Sequence, residues 1–178
     1  MCGIVGYVGP REVVPLLIDG LRRLEYRGYD SAGVAVVADG GLETRRAEGK
    51  LDRLVERLRE QPLSGSYGVA HTRWATHGKP TERNAHPVVD SKNRIAIIHN
   101  GIIENFLVIK RRLLAEGWTF ATDTDTEVIA NLVSSYYAGD LAAAVKRAVG
   151  ELEGMYACAL IGTESTLGNG EEIVAVRQ

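Results

Sequence analysis

Short apolar segments that end at or beside glycine recur along the chain, and this pattern constrains the fold most strongly. Glycine accounts for 20 of the 178 residues. Apolar runs bounded in this way are typical of β-strands joined by tight turns. We therefore predict strands at GIVGYVG, AGVAVVAD, GLETRRAEG, YGVAHTRWAT, IAIIHNG, MYACALIGT and EEIVAVRQ, with a hairpin turn at Asp39-Gly40-Gly41.

Helical periodicity occurs in blocks between these strands. It predicts helices over residues 11–24, 51–60, 103–116, 124–137 and 140–152. Thr124 lies three residues before Glu127, the spacing of a capping box, and Asp140 can cap the last helix. Strands that come in pairs, with helices inserted in blocks, do not fit a doubly wound parallel sheet. The sequence predicts an α+β fold in which antiparallel sheets carry helices on their outer faces.

Composition and charge narrow the class of protein. The chain is 45% apolar and 25% charged, as expected of one globular domain with a real core. Its net charge of −2 gives no electrostatic basis for binding nucleic acid or an anionic membrane. We find no apolar run of membrane-spanning length and no secretory signal pattern. Two cysteines, Cys2 and Cys158, make no disulfide framework, so we expect a cytoplasmic protein with Cys158 in its core.

Cys2 directly follows the initiator methionine, where a thiol is chemically exposed. If Met1 is removed, Cys2 carries both its thiol and a free α-amine. That amine has a pKa of roughly 7.7–8.0, so a sizeable fraction is free base near neutral pH. A terminal amine can then activate its own side chain as a nucleophile. The alternative is that Cys2 is one more small apolar residue at the start of a strand.

The segment HTRWATHG places Arg73, Trp74, Thr76 and His77 at the end of a strand and in the loop after it. Because strand side chains alternate, Arg73 and Trp74 can serve one pocket only if the backbone leaves strand geometry near Arg73. A guanidinium group is well suited to clamp a carboxylate. Taken singly, Arg73 would be a solvated strand residue, and each histidine, His86 included, a hydrogen-bonded structural residue.

Two further positions carry polar groups that suit amide chemistry. Asn100 and Gly101 follow a strand and could form an ordinary turn, or supply two donors to an oxyanion hole. Asp125 could cap a helix, or bind a substrate ammonium group opposite Arg73. A zinc site fits the sequence poorly, because CxxC, HxxxH and HExxH spacings are absent.

Five segments, CGIVGYVG, LEYRGYDSAGVAVV, HTRWATHGKPTERNAHP, HNGIIENF and TDTEVIANL, resemble the glutaminase part of the glutamine:fructose-6-phosphate aminotransferase family. This family lies within the class II, N-terminal-nucleophile glutamine amidotransferases. The resemblance keeps the order and approximate spacing of the five segments over essentially the whole chain. Amidophosphoribosyltransferases differ at residues 26–30, and asparagine synthetases have no counterpart of HTRWATHG.

The resemblance implies an αββα sandwich of two antiparallel sheets and a role for each candidate residue. Cys2, exposed by removal of Met1, would attack the glutamine side-chain amide, and Asn100 with the N–H of Gly101 would hold the oxyanion. The remaining candidates are then substrate-binding residues: Arg73 for the α-carboxylate, Asp125 for the α-amine, Trp74 in a loop that closes over glutamine, and Thr76, His77 and His86 around them.

The resemblance also implies what lies outside this chain. Residues 2–178 would be an incomplete glutaminase domain, truncated at its C-terminal end, and the sugar-phosphate isomerase domain of the family is absent. The full-length protein, expected to be a homodimer without a cofactor, would convert fructose 6-phosphate and glutamine to glucosamine 6-phosphate and glutamate. Alternatives are the glutaminase domain of another class II amidotransferase and a non-catalytic domain that kept the fold.

Overall fold

The computed structural model describes residues 2–38, 41–75, 78–163 and 171–178. Its strands are Gly3–Val8 (β1), Ser31–Ala38 (β2), Gly41–Glu48 (β3), Tyr67–Arg73 (β4), Val88–Val89 (β5), Ile95–Ile103 (β6), Gly154–Gly162 (β7) and Val174–Arg177 (β8). Its α-helices are Val13–Arg22 (α1), Leu51–Glu60 (α2), Phe106–Ala115 (α3), Asp125–Tyr136 (α4) and Leu141–Val149 (α5). In these described parts of the chain, none of the helices has the length and apolar character needed to cross a bilayer.

The strands form two four-stranded antiparallel sheets, in the orders β1-β4-β2-β3 and β5-β6-β7-β8. β2 pairs with β3, the next strand in the sequence, whereas β1 pairs with β4, which lies further along the chain. In that pairing Gly3 lies opposite Thr72, which places the residue before Gly3 at the end of β4. The N-terminal segment is thereby fixed beside the loop that follows β4.

Three apolar clusters define four layers. One cluster packs α1 and α2 on the first sheet, and another packs α3, α4 and α5 on the second. The third lies between the sheets and includes Val69 of β4, Ile98 of β6 and Ile161 of β7. This order of helices, sheet, sheet and helices confirms the predicted αββα sandwich, and Cys158 is buried as expected.

The structure corrects the prediction at the end of β6. The sequence pattern predicts a turn or loop at Asn100-Gly101 and a helix from residue 103, but β6 runs on to Ile103 and α3 begins at Phe106. The reason is the long ladder with β7, which pairs Gly101 with Tyr156. Gly101 has a φ of 119°, and a Cβ there would lie 2.2 Å from the Met155 carbonyl oxygen, so only glycine allows this approach.

The two predicted helix starts differ in their chemistry. Asp140 caps α5, because its side chain accepts a hydrogen bond from the Ala143 N–H. Thr124 precedes α4 as predicted but makes no side-chain cap, and Glu127 accepts instead from the N–H groups of Ala121 and Thr122. The capping box is therefore not formed, and Glu127 fixes the segment that leads into α4. Of the predicted hairpin turn at Asp39-Gly40-Gly41, Gly41 is the first residue of β3, and residues 39 and 40 lie outside the described residues.

Candidate active site

Strand alternation places polar residues of both sheets in the space between them. On β4, Val69 belongs to the cluster between the sheets, so His71 and Arg73 continue the same face. On β6, Ile98 faces that space and Asn100 follows it on the same side. At one end of the sandwich, the residues between the sheets are therefore polar and not apolar: His71, Arg73 and Asn100.

Cys2 lies at this polar end and is partly buried. Its Sγ accepts a hydrogen bond from the Trp74 N–H at 3.1 Å. Trp74 is the first residue after β4, so the backbone leaves the strand where the sequence predicts. The next residue, Ala75, donates its N–H to Asp30 Oδ2 at 2.6 Å. Asp30, which we did not predict as a site residue, therefore anchors the segment that contacts the thiol.

Asn100 lies between Cys2 and His71. Its Oδ1 is 2.7 Å from His71 Nε2, and its Nδ2 donates to the Cys2 carbonyl oxygen at 3.5 Å. With the amide in this orientation its oxygen can only accept, so this hydrogen bond requires a proton on His71 Nε2. The NH₂ group of Asn100 accordingly faces the Cys2 side, next to the Gly101 backbone in β6.

Two buried side chains of opposite charge lie at the same end of the sandwich. Arg73 is only 4% exposed, so the expectation of a solvated strand arginine is wrong. Burial lowers the pKa of its guanidinium, while the charges of Asp30, Cys2 and Asp125 act in the opposite direction. Asp125 is 3% exposed, and its Oδ2 accepts from the Ile103 N–H at 3.0 Å. Asp125 thus joins α4 to β6 and does not serve as the cap of its own helix.

A threonine hydroxyl links two of the buried histidines. Thr126 Oγ1 lies 2.8 Å from His86 Nε2 and 2.9 Å from His99 Nδ1. His99 Nδ1 is also 4.0 Å from Asp125 Oδ1. Burial lowers the pKa of His86 well below its usual value, with the nearby histidines and arginines acting in the same direction. The sequence reasoning missed Thr126 and His99 as neighbours of the site.

These residues line one small cavity of about 30 Å³. That volume admits about two or three water molecules. Seven predicted site residues lie on its wall together with two that were not predicted, and the nine are Cys2, Arg73, Trp74, His86, His99, Asn100, Gly101, Asp125 and Thr126. Thr76 and His77 were predicted beside them but lie outside the described residues. Within the described ranges, no group of three His, Cys, Asp or Glu side chains could hold a metal ion.

The buried histidines give folding a defined pH dependence. Burial lowers the pKa of His71 from 6.5 to about 4. The unfolded chain therefore binds a proton between these values that the folded chain does not, so stability falls as pH drops from 6.5 to 4. We expect His71 to contribute a loss of about 3 kcal/mol in the free energy of unfolding by pH 4, most of it below pH 6.5.

Urea denaturation at pH 7.5, 6.5, 5.5 and 4.5 checks this pH dependence. His71→Gln is the matched variant, because glutamine is polar and of similar reach but does not titrate. The variant should show a shallower loss of unfolding free energy below pH 6.5. Equal slopes for the variant and the unaltered chain would contradict the assignment to His71.

Comparison with known proteins agrees with this architecture. The sequence model of the family described as "Glutamine amidotransferase domain" matches residues 71–176. Glutamine–fructose-6-phosphate aminotransferases of Symbiobacterium thermophilum and Thermus thermophilus are each 51% identical to the chain over 177 residues. The corresponding enzyme of Clostridium tetani is 47% identical over all 178 residues. The chain spans only 28–29% of the length of these relatives.

Two solved structures share the fold. Glutamine phosphoribosylpyrophosphate amidotransferase from B. subtilis superposes on 92% of this chain with a TM-score of 0.77 and 26% identity, over 35% of its own length. A structure described as the allosteric regulatory enzyme of purine biosynthesis matches 92% of the chain with a TM-score of 0.79 and 26% identity, over 36% of its own length.

The layers and the solved relatives together define the class: the fold is the αββα sandwich of the N-terminal-nucleophile amidotransferases. Within that class, the chain belongs to the glutamine amidotransferase domain family.

Proposed function

We propose that this chain is a glutaminase unit in which Cys2, once Met1 is removed, attacks the side-chain amide of glutamine. The observation that carries the proposal is the convergence of five chemically matched groups on one cavity. A thiol, an amide with a neighbouring glycine, a buried guanidinium and a buried carboxylate line it, namely Cys2, Asn100, Gly101, Arg73 and Asp125.

The first half-reaction uses the two functional groups of Cys2. Its thiol transfers a proton to its own α-amine, and the sulfur forms a bond to the amide carbon of glutamine. The amide oxygen takes the negative charge, next to the Asn100 NH₂ and the Gly101 N–H. The proton then passes to the amide nitrogen, the C–N bond breaks, and ammonia leaves. Water adds to the resulting thioester, and cleavage of the C–S bond releases glutamate and restores the thiol.

Recognition of glutamine is assigned to the two buried charges. Arg73 binds the α-carboxylate with its planar guanidinium group, and Asp125 binds the α-ammonium group. His86 lies on the same wall of the cavity, and Thr76 and His77 complete the surroundings in our proposal. Glutamine is larger than the present cavity, so its entry requires the wall to move. Trp74 is the wall residue that is 55% exposed, and we assign the movement to its segment.

The relatives suggest the role of this unit in a longer protein. We propose that ammonia from glutamine aminates fructose 6-phosphate at a second, sugar-phosphate isomerase domain, giving glucosamine 6-phosphate in a cytoplasmic homodimer. The 51% identity to enzymes named for fructose 6-phosphate supports this acceptor over phosphoribosylpyrophosphate, whose amidotransferase is 26% identical. Fructose 6-phosphate would bind the other domain only.

A diazoketone analogue of glutamine tests the proposed function directly. We expect the chain, with intact mass showing that Met1 is absent, to gain one label, and peptide mapping to place it on Cys2. Glutamine should protect the thiol from labelling, and the same sample should release ammonia from glutamine. A folded chain without Met1 that acquires no label at Cys2 would overturn the proposal.

A further inference from the structure

His71 is a buried histidine that the proposed mechanism does not use. It lies on β4 two residues before Arg73 and is fully buried between the sheets. It does not line the cavity that holds Cys2 and Arg73. Its Nε2 is nevertheless 2.7 Å from Oδ1 of Asn100, the residue whose NH₂ group faces Cys2.

We infer that His71 is a positioning residue, which holds the Asn100 side chain so that its NH₂ group, and not its oxygen, faces the bond that Cys2 attacks. The inference rests on the proposed function, since it assigns a task within that reaction. An asparagine amide presents a donor on one side and an acceptor on the other. The reversed amide would point an oxygen at the developing oxyanion and repel it.

The tautomer of His71 sets which group of the Asn100 amide it can bind. The amide oxygen can only accept, so the bond forms only with a proton on Nε2. A protonated imidazole would also donate from Nε2, and the neutral ring does so in one of its two tautomers. Because burial keeps His71 neutral at physiological pH, its ring adds no charge beside the buried Arg73.

The surroundings add a second reason for the selection. The His86 ring also lies beside His71, with the two ring centroids 4.7 Å apart. With the ring proton on Nε2, reversing the Asn100 amide would place its NH₂ group against the Nε2–H of His71 and leave two buried donors facing each other. Unsatisfied buried donors are unfavourable, so this tautomer of His71 favours the observed orientation of the Asn100 amide.

Two substitutions of His71 separate positioning from packing. Glutamine places its side-chain NH₂ near the position of Nε2 and keeps the donor, whereas asparagine is too short to reach Oδ1 of Asn100. Loss of an oxyanion donor typically costs about 100- to 1000-fold in kcat. We expect His71→Asn to lower kcat for glutamine by about 10- to 100-fold with KM changed less than threefold. His71→Gln should retain most of the turnover.

Two readouts besides turnover complete the test. Iodoacetamide alkylates the Cys2 thiol without forming an oxyanion, so its rate should be similar in all three proteins. The Cys2 thiol adds to an aldehyde analogue of glutamine: the S–C bond forms, the C=O π bond breaks and the thiol proton passes to the α-amine. The former carbonyl oxygen then occupies the oxyanion position. Its affinity should fall in His71→Asn in parallel with kcat. If His71→Asn instead lowers kcat and the alkylation rate by the same factor and also lowers the melting temperature, the role of His71 is purely structural and the inference is wrong.

The proposed function and this inference fail in different ways. A folded, unaltered chain without Met1 that does not hydrolyse glutamine refutes the proposed function. The side-chain amide resonances of Asn100, assigned by comparison with Asn100→Asp in ¹⁵N-labelled protein, report the orientation independently of turnover. They should shift in His71→Asn and stay near their original positions in His71→Gln. Unshifted resonances in His71→Asn would refute the inference even in an active enzyme.

Discussion

We expect Cys2→Ala to abolish glutamine hydrolysis, with a loss of at least about 1000-fold in kcat, while glutamine binding remains measurable. The thiol is the only group assigned to form the bond to the amide carbon, and removal of a nucleophile leaves only the contribution of substrate binding and oxyanion stabilisation. The substitution deletes one atom at a partly buried position. Ammonia release and isothermal titration with glutamine measure the two effects separately.

Cys158→Ala is the matched control, since these two are the free cysteines of the described structure. Cys158 is buried in β7 opposite His99, and burial raises the pKa of its thiol to about 12. Its substitution should cost some stability but preserve turnover. Substantial glutamine hydrolysis by Cys2→Ala would show that another group is the nucleophile.

Arg73→Ala should raise KM for glutamine by about 100-fold or more, with a smaller effect on kcat. Removing one partner of a buried charge pair costs about 2–5 kcal/mol, because the remaining charge loses its partner in a desolvated site. Arg73 is buried, so bulk solvent cannot replace the guanidinium effectively. Arg73→Lys keeps the charge but not the planar pair of donors, and should give an intermediate KM.

Arg94→Ala provides the comparison for Arg73. Arg94 is partly buried and does not line the cavity that contains Cys2. Its guanidinium donates to the carbonyl and hydroxyl oxygens of Ser134 at 2.8 Å. Its loss should lower the melting temperature without changing KM. Steady-state kinetics of both variants at matched folded concentration would decide the assignment. An unchanged KM in Arg73→Ala would remove Arg73 from the binding of glutamine.

The sequence pattern was informative about the layers and weaker about where strands end. Glycine-bounded apolar runs identified seven of the eight strands in the described parts of the chain, and the two-residue β5 is too short to show alternation. The pattern ended β6 too early because Gly101 resembles a turn residue in isolation. Its partner in the ladder, Tyr156, is 55 residues further along, so no local signal shows that the strand continues.

The supporting residues of the site were harder to predict than those on its wall. Arg73 and Asn100 could be predicted as site residues because their side chains can bind groups of a substrate. His71 and Asp30 contact other residues of the site, so their own chemistry does not identify them. His71 carried one usable signal: its spacing of two residues from Arg73 puts both on one face of a strand. Asp30 carried no such signal, because its contact with Ala75 depends on how β2 and β4 pair.

The residue types that carry the chemistry, and the alternation that places them on strand faces, can be read from the amino-acid sequence. These are local properties, fixed by side-chain identity and by the two-residue period of a strand. Which of these residues come into contact depends on the tertiary structure alone. Cys2 approaches Asn100 because β1 pairs with β4 in the first sheet and β4 faces β6 across the core. The orientation of the Asn100 amide is likewise a tertiary property, since its hydrogen-bond partner His71 lies on the opposite sheet.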